Sequence, residues 1–401
     1  MNRTLALVIG FLLLFASEIL RVYFIMPFPG SQQSNTIRFA YAIDQNIWWI
    51  RLIGFALIAY PLFLGFKSGK RWRIVSLSVL LFLYISIFYL FNFKFLAEKM
   101  FYQPTNKFMA RSEVSAIPVG KLVVGVVLNG EARAYPIELI GYHHQVRDTV
   151  GGVPVMVTYC TVCHTGRVYS PELNGKPEHF RLVGMDHFNA MFEDATTKSW
   201  WQQATGQAVA GPLTGTWLKE IPSEQVRLSS WLKKYPASLI MQKDTLYVKN
   251  YKHLQGYDQG TIPDDLEKRD TKSWQNKSWV IGVKLGDLRR AYDWNDLLVE
   301  GIIEDTLNQE PILVYAESDN MSFHAWKRKL DGQVLNFSKD STGMNLKDQQ
   351  TQSLWTAQGE CIQGTLKGKS LEKIPAYQEF WHSWKQFQPN TSARNADSTK
   401  K

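Results

Sequence analysis

The chain has 401 residues, 45% of them hydrophobic and 13% aromatic, with three cysteines. This length and composition can bury a real core, which excludes a disordered chain, a collagen-like rod and a disulfide-stapled miniprotein. The net charge of +9 suggests a nucleic-acid partner until it is placed along the chain. Residues 1–100 hold ten Lys and Arg against three acidic residues, +7 of the +9, and this part is hydrophobic, so no nucleic-acid partner is expected.

Three apolar runs, 5–26, 47–66 and 74–93, are each long enough to cross a roughly 30 Å hydrocarbon layer as helices. Trp48, Trp49, Tyr60, Trp72 and Tyr89 lie toward their ends, where amphipathic rings prefer the interface. Glu18 and Arg21 interrupt the first run at i, i+3 spacing and can pair on one helix face. No small-x-small cleavage site follows that run, so it reads as an anchor. Lys67, Lys70, Arg71 and Arg73 crowd the short loop between the second and third runs, and the positive-inside rule places that loop in the cytoplasm. The expectation is a multi-pass protein of the bacterial inner (cytoplasmic) membrane, partnered by the lipid bilayer, with everything after the third run extracytoplasmic.

The remainder repeats itself. Val124-Gly-Val-Val-Leu-Asn-Gly-Glu-Ala-Arg-Ala-Tyr135 matches Ile281-Gly-Val-Lys-Leu-Gly-Asp-Leu-Arg-Arg-Ala-Tyr292 at an offset of 157, and the register carries on to Asp148, Thr149 and Pro154 against Asp305, Thr306 and Pro311. Asp194, Thr197, Ser199 and Trp201 match Asp348, Thr351, Ser353 and Trp355 at offset 154, and Trp231 and Pro236 match Trp384 and Pro389 at 153. Self-similarity at a slowly drifting offset is the mark of a duplicated domain. Within the copies, 122–128, 153–159, 279–285 and 312–315 read as strands, and 231–235 and 381–387 as short helices. The predicted class is α+β, a strand-rich tandem repeat of two copies behind three transmembrane α-helices. Its divisions are 1–100 for the membrane region, 104–240 for repeat one, 241–277 for a connector, 278–390 for repeat two and 391–401 for a disordered tail.

Function should lie where two copies of one scaffold differ. Repeat one reads Tyr159-Cys-Thr-Val-Cys-His-Thr-Gly166; the same register in repeat two reads Ala316-Glu-Ser-Asp-Asn320, without cysteine. Five of the eight histidines, His143, His144, His164, His179 and His187, also lie in repeat one. Two thiols on a turn can act as a redox dithiol, close a disulfide or chelate a soft metal. With imidazole from His144, His164 or His187, Cys160 and Cys163 would form a copper or zinc set. The string Cys-Thr-Val-Cys-His is also the covalent c-type haem pattern, with His164 as axial ligand. Three readings stay open: a thiol-redox or soft-metal site served by a redox or metal-delivery partner, a haem electron-transfer protein, and a non-catalytic membrane scaffold with a structural disulfide. Tyr159 and Arg167 flank the turn and can hold an anion or simply pack and pair. Cys361 aligns with Ala208 and reads as a small core residue, and Trp200, Trp201, Trp231, Trp355, Trp381 and Trp384 read as core. Gly-x-Ser-x-Gly, His-Glu-x-x-His and Gly-x-Gly-x-x-Gly are missing, so no standard hydrolase, zinc protease or dinucleotide site is expected.

Residues 115–390 resemble the bacterial domain-of-unknown-function family numbered 3179. The resemblance is carried by Ala134-Tyr-Pro-Ile-Glu-Leu139, His144 with Asp148-Thr-Val-Gly-Gly152, Val157-Thr-Tyr-Cys-Thr-Val-Cys163, Thr165-Gly166 and Gly206-Gln-Ala-Val-Ala-Gly-Pro-Leu-Thr-Gly215. It implies a fold and a Cys-x-x-Cys turn, and no established reaction. The family usually has Cys-Pro-Leu-Cys-Gly-Thr where this chain has Thr161-Val162 and His164, so haem ligation is not a family-wide role. It also commonly shows Trp-His-Glu where this chain has His143-His144-Gln145.

Overall fold

The computed structural model describes residues 2–395. It combines three long apolar helices with many small sheets, and it divides into two compact units. One unit is 1–102 with 178–217; the other is 103–177 with 218–401.

In the first unit α1 (Arg3–Tyr23), α2 (Ile37–Lys67) and α3 (Arg71–Phe93) are each long and apolar enough to cross a membrane. Helix α2 begins ten residues before the apolar run, because Ile37, Ala40 and Ile43 continue the buried stripe of Ile47, Gly54 and Ile58. Gly10 of α1 and Gly54 of α2 let these helices approach closely: a Cβ on Gly10 would lie 2.4 Å from Ile58, and one on Gly54 2.6 Å from Leu14. Glu18 and Arg21 do not pair with each other as their spacing suggested. Glu18 instead takes the guanidinium of Arg51 on α2, whose planar fork matches a carboxylate with two bonds. Arg21 bonds Asn92 on α3 at 2.9 Å.

The same unit contains a four-stranded sheet of Phe180–Asp186, Asn189–Asp194, Trp200–Gln202 and Ala208–Ala210. Read in the sequence as part of repeat one, this segment joins the helical region through backbone bonds: the Met185 N–H donates to the Ile25 carbonyl at 2.7 Å.

The second unit contains two blocks with the same order of elements. The first runs strand Leu122–Leu128, strand Glu131–Pro136, helix Ile137–His143 and strands Gln145–Val150, Val153–Cys160 and Thr165–Tyr169. The second runs Trp279–Leu285, Leu288–Asp293, helix Trp294–Glu300, Ile302–Leu307, Glu310–Ala316 and Phe323–Lys327. The β-branched runs are buried along almost their whole length and are bounded by Gly and Asn turns. In each block the first strand has the second on one side and a late strand, Ser223–Arg227 or Ala376–Phe380, on the other. Short helices Leu228–Lys234 and Trp381–Phe387 lay Trp231 on Gly125 and Trp384 on Gly282. A Cβ there would lie 2.3 and 2.2 Å from the indoles, which is why both positions are glycine.

The connector folds into helix Val248–His253 and the 3-10 turns Thr245–Tyr247 and Tyr257–Gln259. Of the expected tail, Ser392–Ala393 pairs with Arg290 and Ala291, while 396–401 lie outside the described residues.

Candidate dithiol site

The strand Val153–Cys160 pairs with Thr165–Tyr169 so that Cys160 faces Thr165. Residues 161–164 form the turn, closed by the His164 N–H donating to the Thr161 carbonyl at 3.3 Å. His164 stands at φ +53°, in the left-handed region that the tight reversal requires. Cys160, Cys163 and His164 are fully buried, and among the described residues no disulfide joins the cysteines.

The Cys163 thiol hydrogen-bonds to Cys160 and to Ser383. Burial pushes its pKa well above the ordinary thiol value, and the neighbouring Cys160 adds to the rise; Ser383 and the Lys277 ammonium oppose it. Lys277 donates to the Val162 carbonyl at 2.8 Å, which fixes the cation beside the turn.

A base beside Cys163 comes from the second block. His382 Nε2 lies 4.0 Å from Cys163 Sγ, and its Nδ1 is 2.9 Å from the Asn276 carbonyl. A carbonyl only accepts, so Nδ1 carries the proton and Nε2 presents a lone pair toward the thiol. Burial lowers the His382 pKa to about 4, leaving the ring neutral at pH 7. The helix Trp381–Phe387 is held against the turn by the Phe380 N–H donating to the Cys163 carbonyl at 3.0 Å, and by Thr165 Oγ1 at 3.2 Å from Ser383 Oγ.

His164 has another task. Its Nε2 donates to Gln378 Oε1 at 3.0 Å, while its Nδ1 lies 3.1 Å from the Tyr159 hydroxyl and 2.9 Å from that of Tyr257. Tyr257 gives its proton to the Thr161 carbonyl at 2.7 Å, which makes Tyr159 the donor to Nδ1. The ring stacks on Trp279, centroids 4.8 Å apart, and burial lowers its pKa to about 3. Covalent haem does not fit these residues. The axial nitrogen carries a proton bound to Gln378, both thiols are buried, and the motif turns between two strands instead of opening a helix.

His144 caps the helix Ile137–His143 at φ +58°. Its Nδ1 lies 3.2 Å from the Tyr159 carbonyl, its own carbonyl accepts from the Tyr159 N–H, and burial lowers its pKa to about 4. It thus ties the helix end to the cysteine-bearing strand. His187 belongs to the first unit, where the Asp186 carboxylate 2.6 Å away raises its pKa. Among the described residues no group of three or more His, Cys, Asp and Glu is placed to hold a metal ion, so the five residues named from the sequence are not assembled into a copper or zinc set. Arg167 pairs with the buried Glu379 and lies 3.6 Å above the Tyr377 ring.

Sequence reasoning missed Tyr257, Lys277, Gln378, His382 and Ser383. The first two lie in a stretch read as a linker, and the others in the repeat without the Cys-x-x-Cys turn. The only signal in the chain was His382 itself, one of three histidines outside repeat one.

Comparison with curated proteins and with solved structures finds no match. The profile of the family described as "Protein of unknown function (DUF3179)" matches residues 104–391, nearly three quarters of the chain, including the Cys160–Cys163 turn and the His382 helix that meets it. By that match the chain belongs to the DUF3179 family.

Proposed function

We propose that this is a membrane-anchored protein whose extracytoplasmic domain, a duplicated one, carries out thiol–disulfide exchange through Cys160 and Cys163. The observation that carries the reading is the arrangement Cys163 Sγ–His382 Nε2 with Nδ1 anchored on Asn276: a thiol, a neutral base and an orienting acceptor. When the turn opens, water relieves the burial that raises the Cys163 pKa and lowers that of His382; His382 Nε2 then takes the Cys163 proton, and the thiolate attacks a partner disulfide and releases one partner thiolate, which takes the proton from His382. Cys160, hydrogen-bonded to Cys163, then attacks the mixed disulfide, giving the Cys160–Cys163 disulfide and the second partner thiol. Two protein thiols are oxidised and one partner disulfide is reduced. Because both sulfurs are buried, the turn must open for the partner to reach them.

Duplication is supported by recurring side-chain bonds. Tyr135 donates to Asp148 and Tyr292 to Asp305, both at 2.8 Å; Trp201 Nε1 donates to Asp194 and Trp355 Nε1 to Asp348, both at 2.9 Å. The membrane reading is supported by three helices of sufficient length, and the orientation by the basic residues 67–73.

Full burial of both thiols favours a second reading, a scaffold in which the pair only packs. One experiment separates the two. The full-length protein is equilibrated in dithiothreitol buffers of graded potential, trapped by alkylation and weighed by mass spectrometry. The proposal expects Cys160 and Cys163 to be oxidised together in a single two-electron transition, with alkylation of Cys163 slowed in His382→Ala. Thiols that stay reduced throughout would leave the scaffold, and stoichiometric copper or zinc in the purified protein would restore the metal site.

A further inference from the structure

The apolar helices of the first unit bury charge that the dithiol does not use. Glu18 is fully buried and accepts Arg51 Nε at 2.7 Å and Nη2 at 2.9 Å. Asn92 closes the cluster: its Nδ2 donates to Glu18 at 2.8 Å and its Oδ1 accepts from Arg51 Nη2 at 2.8 Å. In this side-on fork both carboxylate oxygens face Nε and Nη2, and Nη1 points away from Glu18. Among the described residues Nη1 has no hydrogen-bond partner, although the Arg51 side chain is only 7% exposed.

Arg51 lines a cavity of about 560 Å³ between α2 and α3, within the range of small-molecule sites. Its other walls are almost wholly apolar: Trp48, Trp49, Phe55, Tyr84 and Phe88 dominate. Two of these rings flank the guanidinium, Trp48 at 5.0 Å and Phe88 at 4.9 Å. Trp48 and Trp49 line it while 75% and 66% exposed.

We propose that this cavity binds a lipid-soluble ring compound bearing a neutral carbonyl oxygen, of the quinone class, with Arg51 Nη1 donating to that carbonyl. Three arguments converge on the class. An N–H facing apolar walls costs free energy until an acceptor arrives. Glu18 already balances the Arg51 charge, so a phosphate would enter as an unpaired anion among aromatic rings, whereas a carbonyl brings no charge. A flat ring also stacks on flat walls. The inference rests on the helices spanning a bilayer and is independent of the dithiol.

The test uses the full-length protein in nanodiscs of neutral phosphatidylcholine, with a decyl-substituted benzoquinone as probe. Quinone retained by loaded discs in excess of empty discs is measured by absorbance. One saturable quinone per protein is expected. Ile85→Trp, which fills the cavity and leaves the Glu18–Arg51–Asn92 cluster intact, is expected to weaken binding at least tenfold. Arg51→Lys keeps a cation beside Glu18 but removes the Nη1 donor, with a loss of roughly fivefold. Retention equal to empty discs, or unchanged in Ile85→Trp, would overturn the site. So would displacement by an equal mole fraction of phosphatidylglycerol, which would make the cavity a contact for anionic lipid. Protein that fails to enter the discs would refute the membrane reading, and the site with it.

Discussion

In the first block the hairpin turn after Val153–Cys160 runs through two thiols and His164; in the second, the turn after Glu310–Ala316 runs through Glu317, Asp319 and Asn320. Both turns reach the other block's late strand and helix. Cys163 and Thr165 meet Phe380 and Ser383, while Ser322 accepts from the Arg227 N–H and Glu317 from the Ser230 hydroxyl. The second turn carries a carboxyl group: Glu317 is buried and bonded to His324 at 2.7 Å. In the first, burial keeps the Cys163 thiol protonated and His164 and His382 uncharged, while the Lys277 ammonium bonds the Val162 carbonyl and Glu267 accepts from the Thr161 hydroxyl. One architecture thus carries a carboxyl–imidazole pair in one place and an oxidisable thiol pair in the other. Thiols need no counter-ion, and a neutral histidine can stand beside them as a base.

Acid should separate the two turns most strongly. His144, His164 and His382 have folded pKa values of about 4, 3 and 4, below the ordinary 6.5. Below pH 6.5 the unfolded chain binds protons that the folded chain does not, so stability falls with pH until the folded values are reached. Above pH 6.5 these groups are neutral in both states and contribute no slope. Each removes up to ~1.4 kcal/mol per pH unit in that window. Thermal midpoints from pH 7.5 to 4.5 should drop steeply, and less steeply in His164→Asn; a flat profile would contradict the buried neutral histidines.

Arg167 tests the first block further. Arg167→Met leaves Glu379, 1% exposed, without its ion-pair partner, at a cost of about 3–5 kcal/mol in denaturant unfolding. Arg167→Met with Glu379→Leu should recover most of that loss.

Gly125→Ala and Gly282→Ala sharpen the likeness between the blocks, since each drives a Cβ into an indole. Each is expected to cost about 1–3 kcal/mol, and the two costs should be similar. A large difference would break the equivalence of the two tryptophan contacts. The smallest effect belongs to Glu317→Gln, about 1–2 kcal/mol for the weakened bond to His324, with no change in the redox titration of Cys160 and Cys163. A shift in that titration would show that the Glu317 turn tunes the dithiol.

Much of the fold was legible because it is local. The strands 122–128 and 279–285 and the helix 381–387 appear at those bounds. The match of Asp194, Thr197, Ser199 and Trp201 to Asp348, Thr351, Ser353 and Trp355 has a physical basis: in each set the aspartate accepts from the threonine, the serine N–H and the indole. Trp200, Trp201, Trp231, Trp355 and Trp384 are buried, and Cys361 is a core residue. The Glu18–Arg21 pairing failed because a nearer match existed on another helix, which spacing along one helix cannot reveal.

By itself, the sequence determined three helices long enough for a bilayer, two blocks of like element order, and a cysteine turn in only one of them. Hydrophobic length, β-branched runs and turn glycines act over a few residues and need no tertiary partner. The tertiary structure decided the rest. It took His144 and His164 for backbone and tyrosine bonds, assigned His187 to the other unit, and brought His382 to Cys163 across 219 positions of chain. A thiol's base is chosen by whichever helix packs on its turn, and that packing is set by the burial of Phe380, Ser383 and Trp384, not by any spacing near Cys163.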